Sequence, residues 1–388
     1  MTEKEKPETR SSQPEPRKPK TGDREPGQRG FTTGACTQAA TRAAALTVAT
    51  GYVPCEAAKD GKHLGDREKT GSVEITLPGG ETAVFKITMH AEGVCSVFKD
   101  AGSDPDITDG VQVFACVVAR LDGRFYVDGA EGVGRVTRAG LAVKPGRAAI
   151  NPVPLKHIRD EARRVLPRGA EVTVSLPAGE ELAPRTFNPR LGIIGGLSIL
   201  GTSGRVEPWS TAAYQESLIP QLDVAMAAGI REPVLVPGAK GEKAAVGAGF
   251  DPAAVVQSGN FMGMMMRAAA GRGFRRLALV GHAAKLAKLA RGDFDTHSRR
   301  SPMPLDVLAD AALACGWSSR QAQALEMLPT TEAAVRKLMK TGKCEVLDEV
   351  ARRVAATASK EFGLKAEVLL TGSSGEVVGK AARQEQSA

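Results

Sequence analysis

Three short polar turns hold residues suited to binding a ligand: Gly201-Thr202-Ser203-Gly204, Ser258-Gly259-Asn260 and Gly281-His282. Each follows an apolar run that reads as a buried strand. Glycine lets a ligand come close to the main chain, and the Thr and Ser hydroxyls add donors. If the strands are parallel, their carboxyl ends converge on one rim, which is where α/β folds place ligands. The first turn closes the run Leu191 to Leu200, which is too short to span a membrane. That turn is neither a Walker A loop nor a G-x-G-x-x-G dinucleotide fingerprint. A glycine-rich turn with nothing bound is the plain alternative.

Cationic groups gather elsewhere. Arg29 precedes Gly30-Phe31-Thr32-Thr33-Gly34-Ala35-Cys36, where Thr33 reads as the N-cap of an alanine-rich helix. The free amides of that first turn then form an anion site, strengthened by Arg29. The loop from Asp128 to Arg138 sets flexible backbone beside Arg135 and Arg138, whose guanidinium forks suit carboxylates; a solvated basic turn is the alternative. Cys36 stands where a helix field lowers a thiol pKa, but no base accompanies it, and a small packed thiol is the better reading. His282 and His297, the latter near Asp293 and Asp295, suit acid–base duty or a metal, yet a strand-end histidine more often only hydrogen-bonds. The aspartates of the loop from Lys99 to Gly110 have the wrong spacing for calcium and read as turn and cap residues. No catalytic residue is assigned.

These groups must be positioned by two differently built halves. With 388 residues the chain can bury a large core and is expected to form two domains. Residues 29–188 read as a β-rich α+β domain. Its expected strands are 72–77, 83–89, 94–98, 111–119, 125–127 and 170–176, with a hairpin at Asp122-Gly123 and one helix over 155–165. Residues 189–375 alternate strands (192–200, 233–236, 254–257, 276–280, 366–370) with helices, which predicts a parallel, doubly wound, Rossmann-like α/β domain. The methionines from Met262 to Met266 read as helical core filler. Residues 1–28 lack the apolar surface to order and read as a disordered tail, and 376–388 as a C-terminal tail.

The formal charge of +8 favours an anionic partner. No basic block sits beside a row of aromatics, so a nucleic-acid groove has little support. Six scattered cysteines without a C-x-x-C pair argue against a disulfide framework and a zinc site. Without an apolar leader or a run of transmembrane length, a cytoplasmic protein with no membrane partner is the default.

Several stretches in order carry a resemblance: GFTTGAC (Gly30 to Cys36), KDAGSDPDITDG (Lys99 to Gly110), GVGRVTRAGL (Gly132 to Leu141), INPVP (Ile150 to Pro154), FNPRLGIIGGLSILGTSGRVEPWS (Phe187 to Ser210), QSGNFMG (Gln257 to Gly263) and GHAAKLAKLARGDFDTHS (Gly281 to Ser298). Together, from about Arg29 to about Thr371, they resemble the cobalt-precorrin-5B (C1)-methyltransferase family of anaerobic cobalamin biosynthesis. Local departures are Thr37-Gln38 within the alanine-rich helix and Arg205 in the glycine loop.

The resemblance implies transfer of a methyl group from S-adenosylmethionine to the C-1 ring carbon of a cobalt corrinoid, giving cobalt-precorrin-6A. Cobalt then arrives within the substrate and no protein-bound metal is expected. The polycarboxylate substrate suits Arg29, Arg135 and Arg138, with Thr32 and Thr33 beside them. The methyl donor suits Gly201, Thr202, Ser203, Gly204, Gly259, Asn260, Gly281 and His282. No acidic residue ends the strand 233–236 to hold a ribose, so the pose departs from the dinucleotide pattern. An oligomer is compatible with this reading. A non-catalytic carrier of an anionic tetrapyrrole, or a phosphate-ligand enzyme using the Gly201 loop, are the competing classes.

Overall fold

The computed structural model describes residues 25, 27–51 and 69–382. Residues 1–24 and 383–388 of the expected tails, and Cys55, lie outside the described residues. In chain order, β1 (Gly30–Phe31), α1 (Thr33–Thr50), β2 (Lys69–Thr76), β3 (Thr82–Ala91), β4 (Val94–Phe98) and β5 (Gln112–Ala119) come first. Next are β6 (Phe125–Gly129), β7 (Arg135–Val136), α2 (Pro152–Val165), β8 (Ala170–Ser175), α3 (Gly179–Leu182), β9 (Ile193–Ile194) and β10 (Arg205–Val206). Then follow α4 (Thr211–Leu218), α5 (Pro220–Ala227), β11 (Val234–Val236), α6 (Ala239–Gly247), β12 (Val255–Gln257), α7 (Met262–Gly271), β13 (Arg276–His282) and α8 (Ala283–Leu286). The chain closes with α9 (Leu305–Ala314), α10 (Ser319–Glu326), α11 (Thr331–Lys340), α12 (Glu345–Phe362), β14 (Lys365–Thr371) and β15 (Val377–Ala381). The architecture is mixed α/β with several sheets, in two compact units.

One unit comprises Met1–Val133, Ile150–Leu182 and Leu197–Trp209. Its sheet runs β2-β3-β4-β5-β8-β6, antiparallel except for the parallel β6–β8 pair. Period-two alternation puts Ala83, Phe85 and Ile87 of β3 and Val113, Ala115 and Val117 of β5 inside. Against the sheet packs α1, whose Ala35, Ala39, Ala40, Ala43, Ala44 and Ala45 are essentially unexposed. Small side chains let this helix lie close to the sheet and to α2; inserting methylenes there would cost about 1–3 kcal/mol. Thr37 and Gln38 have structural partners. Thr37 Oγ1 donates to Thr33 O (2.8 Å), and Gln38 Nε2 donates to Thr76 O (2.8 Å) and to the buried Glu161 (2.9 Å).

The hairpin expected at Asp122-Gly123 does not form. β8 inserts between β5 and β6, and Arg120 N and Gly123 N donate to Gly169 O and Arg168 O (both 2.9 Å). The crossover through α2 makes β6 and β8 a parallel pair, as connections of that length do.

The other unit comprises Gly134–Ala149, Ala183–Gly196 and Ser210–Ala388. Four strands, β12-β11-β13-β14, are parallel, and β15 adds antiparallel at the β14 edge. Residues 377–381, expected to be tail, are thus a strand; Val378 and Ala381 bury their side chains after a turn at Gly375. Alternate residues face two cores. Leu235, Leu277 and Leu279 meet Met262, Met265 and Met266, whereas Val234, Val236, Ala278 and Val280 meet Ala244 and Ala245. The methionines are core filler, as predicted. Between 211 and 227 the helix breaks into α4 and α5 at Pro220, which has no N–H to continue the first segment.

The run Leu191 to Leu200 is not a strand of this parallel sheet. Only Ile193–Ile194 is extended and paired, antiparallel to β7. Gly192 and Gly195 have φ of 69° and 76°, which no continuous strand accommodates. Leu197 and Ile199 instead bridge Val133 and Ile150 in the first unit. Among the described residues no helix is long and apolar enough to cross a membrane.

Candidate functional site

In the first unit, Arg29, Thr32 and Thr33 are brought together with Gly201, Thr202, Ser203 and Gly204. The N-cap of α1 is Thr32 rather than Thr33, because Thr32 has extended backbone and its Oγ1 accepts from Ala35 N at 3.2 Å. Leu200 O accepts from Gly34 N (2.8 Å), and Thr32 O accepts from Cys36 N (3.1 Å). The first-turn amides Gly34, Ala35 and Cys36 therefore already have partners within the chain. Gly204 O accepts from Thr32 N (3.0 Å) and Ser203 O from Gly79 N (3.0 Å).

Gly201, at φ 134°, stands where a Cβ would lie 2.2 Å from Thr32 Oγ1. Its glycine character answers to the chain's own close approach. Arg205 stacks 4.2 Å over Phe31 and pairs with Glu81, its Nε donating at 3.1 Å; that guanidinium holds the Glu81 carboxyl below its ordinary value. Arg29 pairs with Glu207.

Neighbouring groups have structural partners too. Asp100 and Asp109 accept from the amides of Gly102 (2.9 Å) and Ala101 (2.8 Å), and Asp104 from Trp209 N (2.9 Å). Asp106 accepts from Thr108 and pairs with the buried Lys99 at 2.7 Å. The aspartates cap and turn, as predicted. Cys36 is fully buried, and burial pushes its thiol up to about 12, so it is a packed thiol.

The second unit assembles a different set at the carboxyl ends of its parallel strands. Read in chain order, β12-β11-β13-β14 is a 2-1-3-4 sheet, so the strand order reverses between β11 and β13. Chain connections leave that point on opposite faces of the sheet, opening a crevice. Gly281 lets the chain leaving β11 pass: a Cβ there would lie 2.8 Å from Pro237 Cδ. Ser258 Oγ donates to Val236 O at 3.0 Å and ties the end of β12 to that of β11. Gly259, at φ 59°, faces the ring of Tyr214, which packs on Phe261 at 5.9 Å between centroids.

His282 closes β13. Its Nδ1 accepts from Ala284 N at 3.1 Å, so the proton resides on Nε2, which donates to Glu332 at 3.0 Å. With both nitrogens engaged, His282 is a strut and not a free base. Burial resists ionisation of Glu332, but hydrogen bonds from Ser373 and His282 outweigh it and hold the carboxyl below its ordinary value. Asn260 Oδ1 accepts from Lys285 Nζ at 2.9 Å, and Asn260 O from Thr296 N at 2.9 Å. Lys288, buried, donates to Thr296 O (3.1 Å) and Ser301 O (2.8 Å), which fixes the following loop.

Beside Asn260 that loop borders a cleft of about 310 Å³ lined by Thr211, Phe261, Asp295, His297, Arg299 and Arg300. His297 Nδ1 accepts from Arg299 N, and Asp295 pairs with Arg300 at 2.7 Å. Among the described residues no group of three His, Cys, Asp or Glu is placed to hold a metal ion. A second cleft, of about 340 Å³, lies at the amino ends of the strands around Arg231, Phe274 and Arg276, away from this rim. Arg135 and Arg138 are exposed on and just after β7 of the same unit. Arg135 Nη1 donates to Gly146 O (3.3 Å), and the stem of Arg138 covers Gly192.

Of the residues predicted for a donor, Gly259, Asn260, Gly281 and His282 thus share the rim of one sheet, and Gly201 to Gly204 belong to the other unit. Sequence reasoning missed Glu332, Ser373 and Lys285; no spacing links residues 25 or 50 positions apart to their partners.

The family model CbiD matches residues 20–208, and the model of the CbiD C-terminal domain matches residues 295–382. The cobalt-precorrin-5B C(1)-methyltransferase of Moorella thermoacetica is 40% identical over 341 residues, covering 86% of this chain and 88% of that protein. That of Thermoanaerobacter sp. (strain X514) is 38% identical over 319 residues, covering 81% and 83%. A crystal structure of cobalamin biosynthesis protein (cbiD) from Archaeoglobus fulgidus aligns over 70% of this chain and 84% of its own, at 25% identity and a TM-score of 0.39.

Proposed function

The chain belongs to the CbiD family, and from that membership we propose that its parallel sheet, used in a Rossmann-like way, holds the methyl donor at the carboxyl rim of β11, β12 and β13. The reaction is that of its relatives, methylation of C1 of cobalt-precorrin-5B. The donor is S-adenosylmethionine, which when bound supplies an electrophilic methyl group on a sulfonium. The observation that carries the reading is the convergence of Gly259, Asn260, Gly281 and His282 at the point where the strand order reverses.

These residues fit such a molecule. Gly259 and Gly281 let Tyr214 and Pro237 pack against the main chain at the rim, Tyr214 and Phe261 offer aromatic faces, and Lys285 presents a cation without a carboxylate among the described residues. The corrinoid's carboxylates are assigned to Arg135 and Arg138 and to Arg299 at the cleft beside Asn260. Methyl transfer to a carbon nucleophile asks chiefly for in-line alignment, so the chain's task is to orient and to exclude water. His282, held by Glu332 and Ala284, fixes the end of β13 in that task. Residues Gly201 to Gly204, with Thr32 and Thr33, act as the brace of α1. A reducing, cytoplasmic setting is part of the proposal and agrees with the free thiols of Cys36, Cys95, Cys116, Cys315 and Cys344.

The test is incubation with S-adenosylmethionine labelled in its methyl group and cobalt-precorrin-5B, followed by mass spectrometry of the macrocycle. The proposal expects one labelled methyl per macrocycle at C1. A macrocycle that is bound but unchanged in mass would make the protein a carrier and overturn it.

A further inference from the structure

Lys285 leaves the sheet just after β13, whereas Asn260 leaves it just after β12. β11 lies between those two strands. The Lys285–Asn260 hydrogen bond, 2.9 Å from Nζ to Oδ1, therefore passes over the carboxyl end of β11, at the crevice where the strand order reverses. An ammonium has three protons to donate, and the amide oxygen takes one. Among the described residues no carboxylate pairs with Lys285, although the side chain is partly buried and desolvation lowers its pKa.

The contrast with its neighbours is informative. Lys288, one helical turn on, is buried against two carbonyls of its own loop, and His282 has its carboxylate in Glu332. Lys288 spends two of its protons on those carbonyls, whereas Lys285 spends one, on the Asn260 amide at the rim. A half-desolvated cation without a counter-charge is a cost to the fold unless an anion completes it.

We infer that Lys285 binds a ligand carboxylate, and specifically the amino-acid carboxylate of the methyl donor, with Asn260 holding the ammonium in place until it arrives. This rests on the reading that the donor occupies this rim. The same chemistry could be met by a carboxylate of the macrocycle, and the experiment separates the two.

Isothermal titration would compare the wild-type chain, Lys285→Gln and Lys285→Met, each with S-adenosylhomocysteine and with 5′-methylthioadenosine, which lacks the carboxylate. Binding of a polycarboxylate cobalt corrinoid would be followed in parallel by absorbance. The expected result is a loss of about tenfold or more in affinity for S-adenosylhomocysteine in both variants, with 5′-methylthioadenosine and corrinoid affinity unchanged. Equal losses for both nucleosides would mean a merely structural lysine and overturn the inference. Weakened corrinoid binding with S-adenosylhomocysteine unaffected would assign the cation to the substrate and overturn it as well. If the wild-type chain binds both nucleosides and the variants bind them equally well, only the lysine's role falls. A wild-type chain that binds neither, with or without corrinoid, removes the donor from this rim and the inference with it.

Discussion

His282 donates from Nε2 to Glu332 across 3.0 Å while its Nδ1 accepts the Ala284 amide, so one imidazole joins the end of β13 to α11 and to the start of α8. Removing the ring leaves a carboxylate and an amide short of a partner in a partly covered place. His282→Ala is predicted to cost about 1–3 kcal/mol of unfolding free energy in urea. A variant as stable as the parent would show that the strut is idle.

The Glu332 carboxyl gives that contact a pH dependence. Its pKa in the fold lies below the ordinary 4.5, so its contribution is present above that value and is lost as pH falls through the depressed one. On acidification from neutral pH, wild-type stability should therefore drop more steeply than that of Glu332→Gln in the range below 4.5. Parallel profiles would deny the carboxylate this role.

Gly201 and Gly292 both have positive φ, 134° and 87°, but only Gly201 has Thr32 where a Cβ would go. Gly292→Ala is predicted to cost the backbone term alone, about 1–2 kcal/mol, and Gly201→Ala more than twice that. In the folded fraction of Gly201→Ala, S-adenosylhomocysteine affinity should persist, because the loop braces α1. Stability near the parent's together with lost nucleoside binding would return the loop to the donor site.

A thiol pushed up to about 12 by burial is protonated throughout the neutral range. Iodoacetamide at mildly alkaline pH is predicted to leave Cys36 unmodified in the folded protein and to alkylate it in urea, as read by peptide mass mapping. Cys36→Ala should retain methyl transfer. Rapid alkylation in the native state would contradict the packed-thiol reading.

The exposed Arg135 and Arg138 carry the prediction for the substrate side. The double variant to alanine should weaken corrinoid binding about tenfold and reduce its salt dependence, while unfolding free energy stays within about 0.5 kcal/mol. Unchanged affinity would remove β7 and its loop from the substrate site.

The four parallel strands were legible because short apolar runs such as Val234 to Val236 and Leu277 to Val280 are bounded by glycine, proline and helical patterns. The run Leu191 to Leu200 misled because hydrophobicity does not reveal φ, and Gly192 and Gly195 break it. The β5–β6 hairpin misled for another reason. A turn signal at Asp122-Gly123 says nothing about β8, which begins only at Ala170 and takes the place beside β5. At the site, Gly259, Asn260, Gly281 and His282 were legible as strand-end polar residues. Lys285 and Glu332 were not, since their roles come from partners that only the sheet order brings near.

The placement of the donor is tested most directly by amide hydrogen exchange with and without S-adenosylhomocysteine. The account predicts slowed exchange confined to the second unit, at residues 258–263 and 281–286. Slowed exchange confined to 200–206, or to 272–276 at the amino ends of the strands, would contradict it.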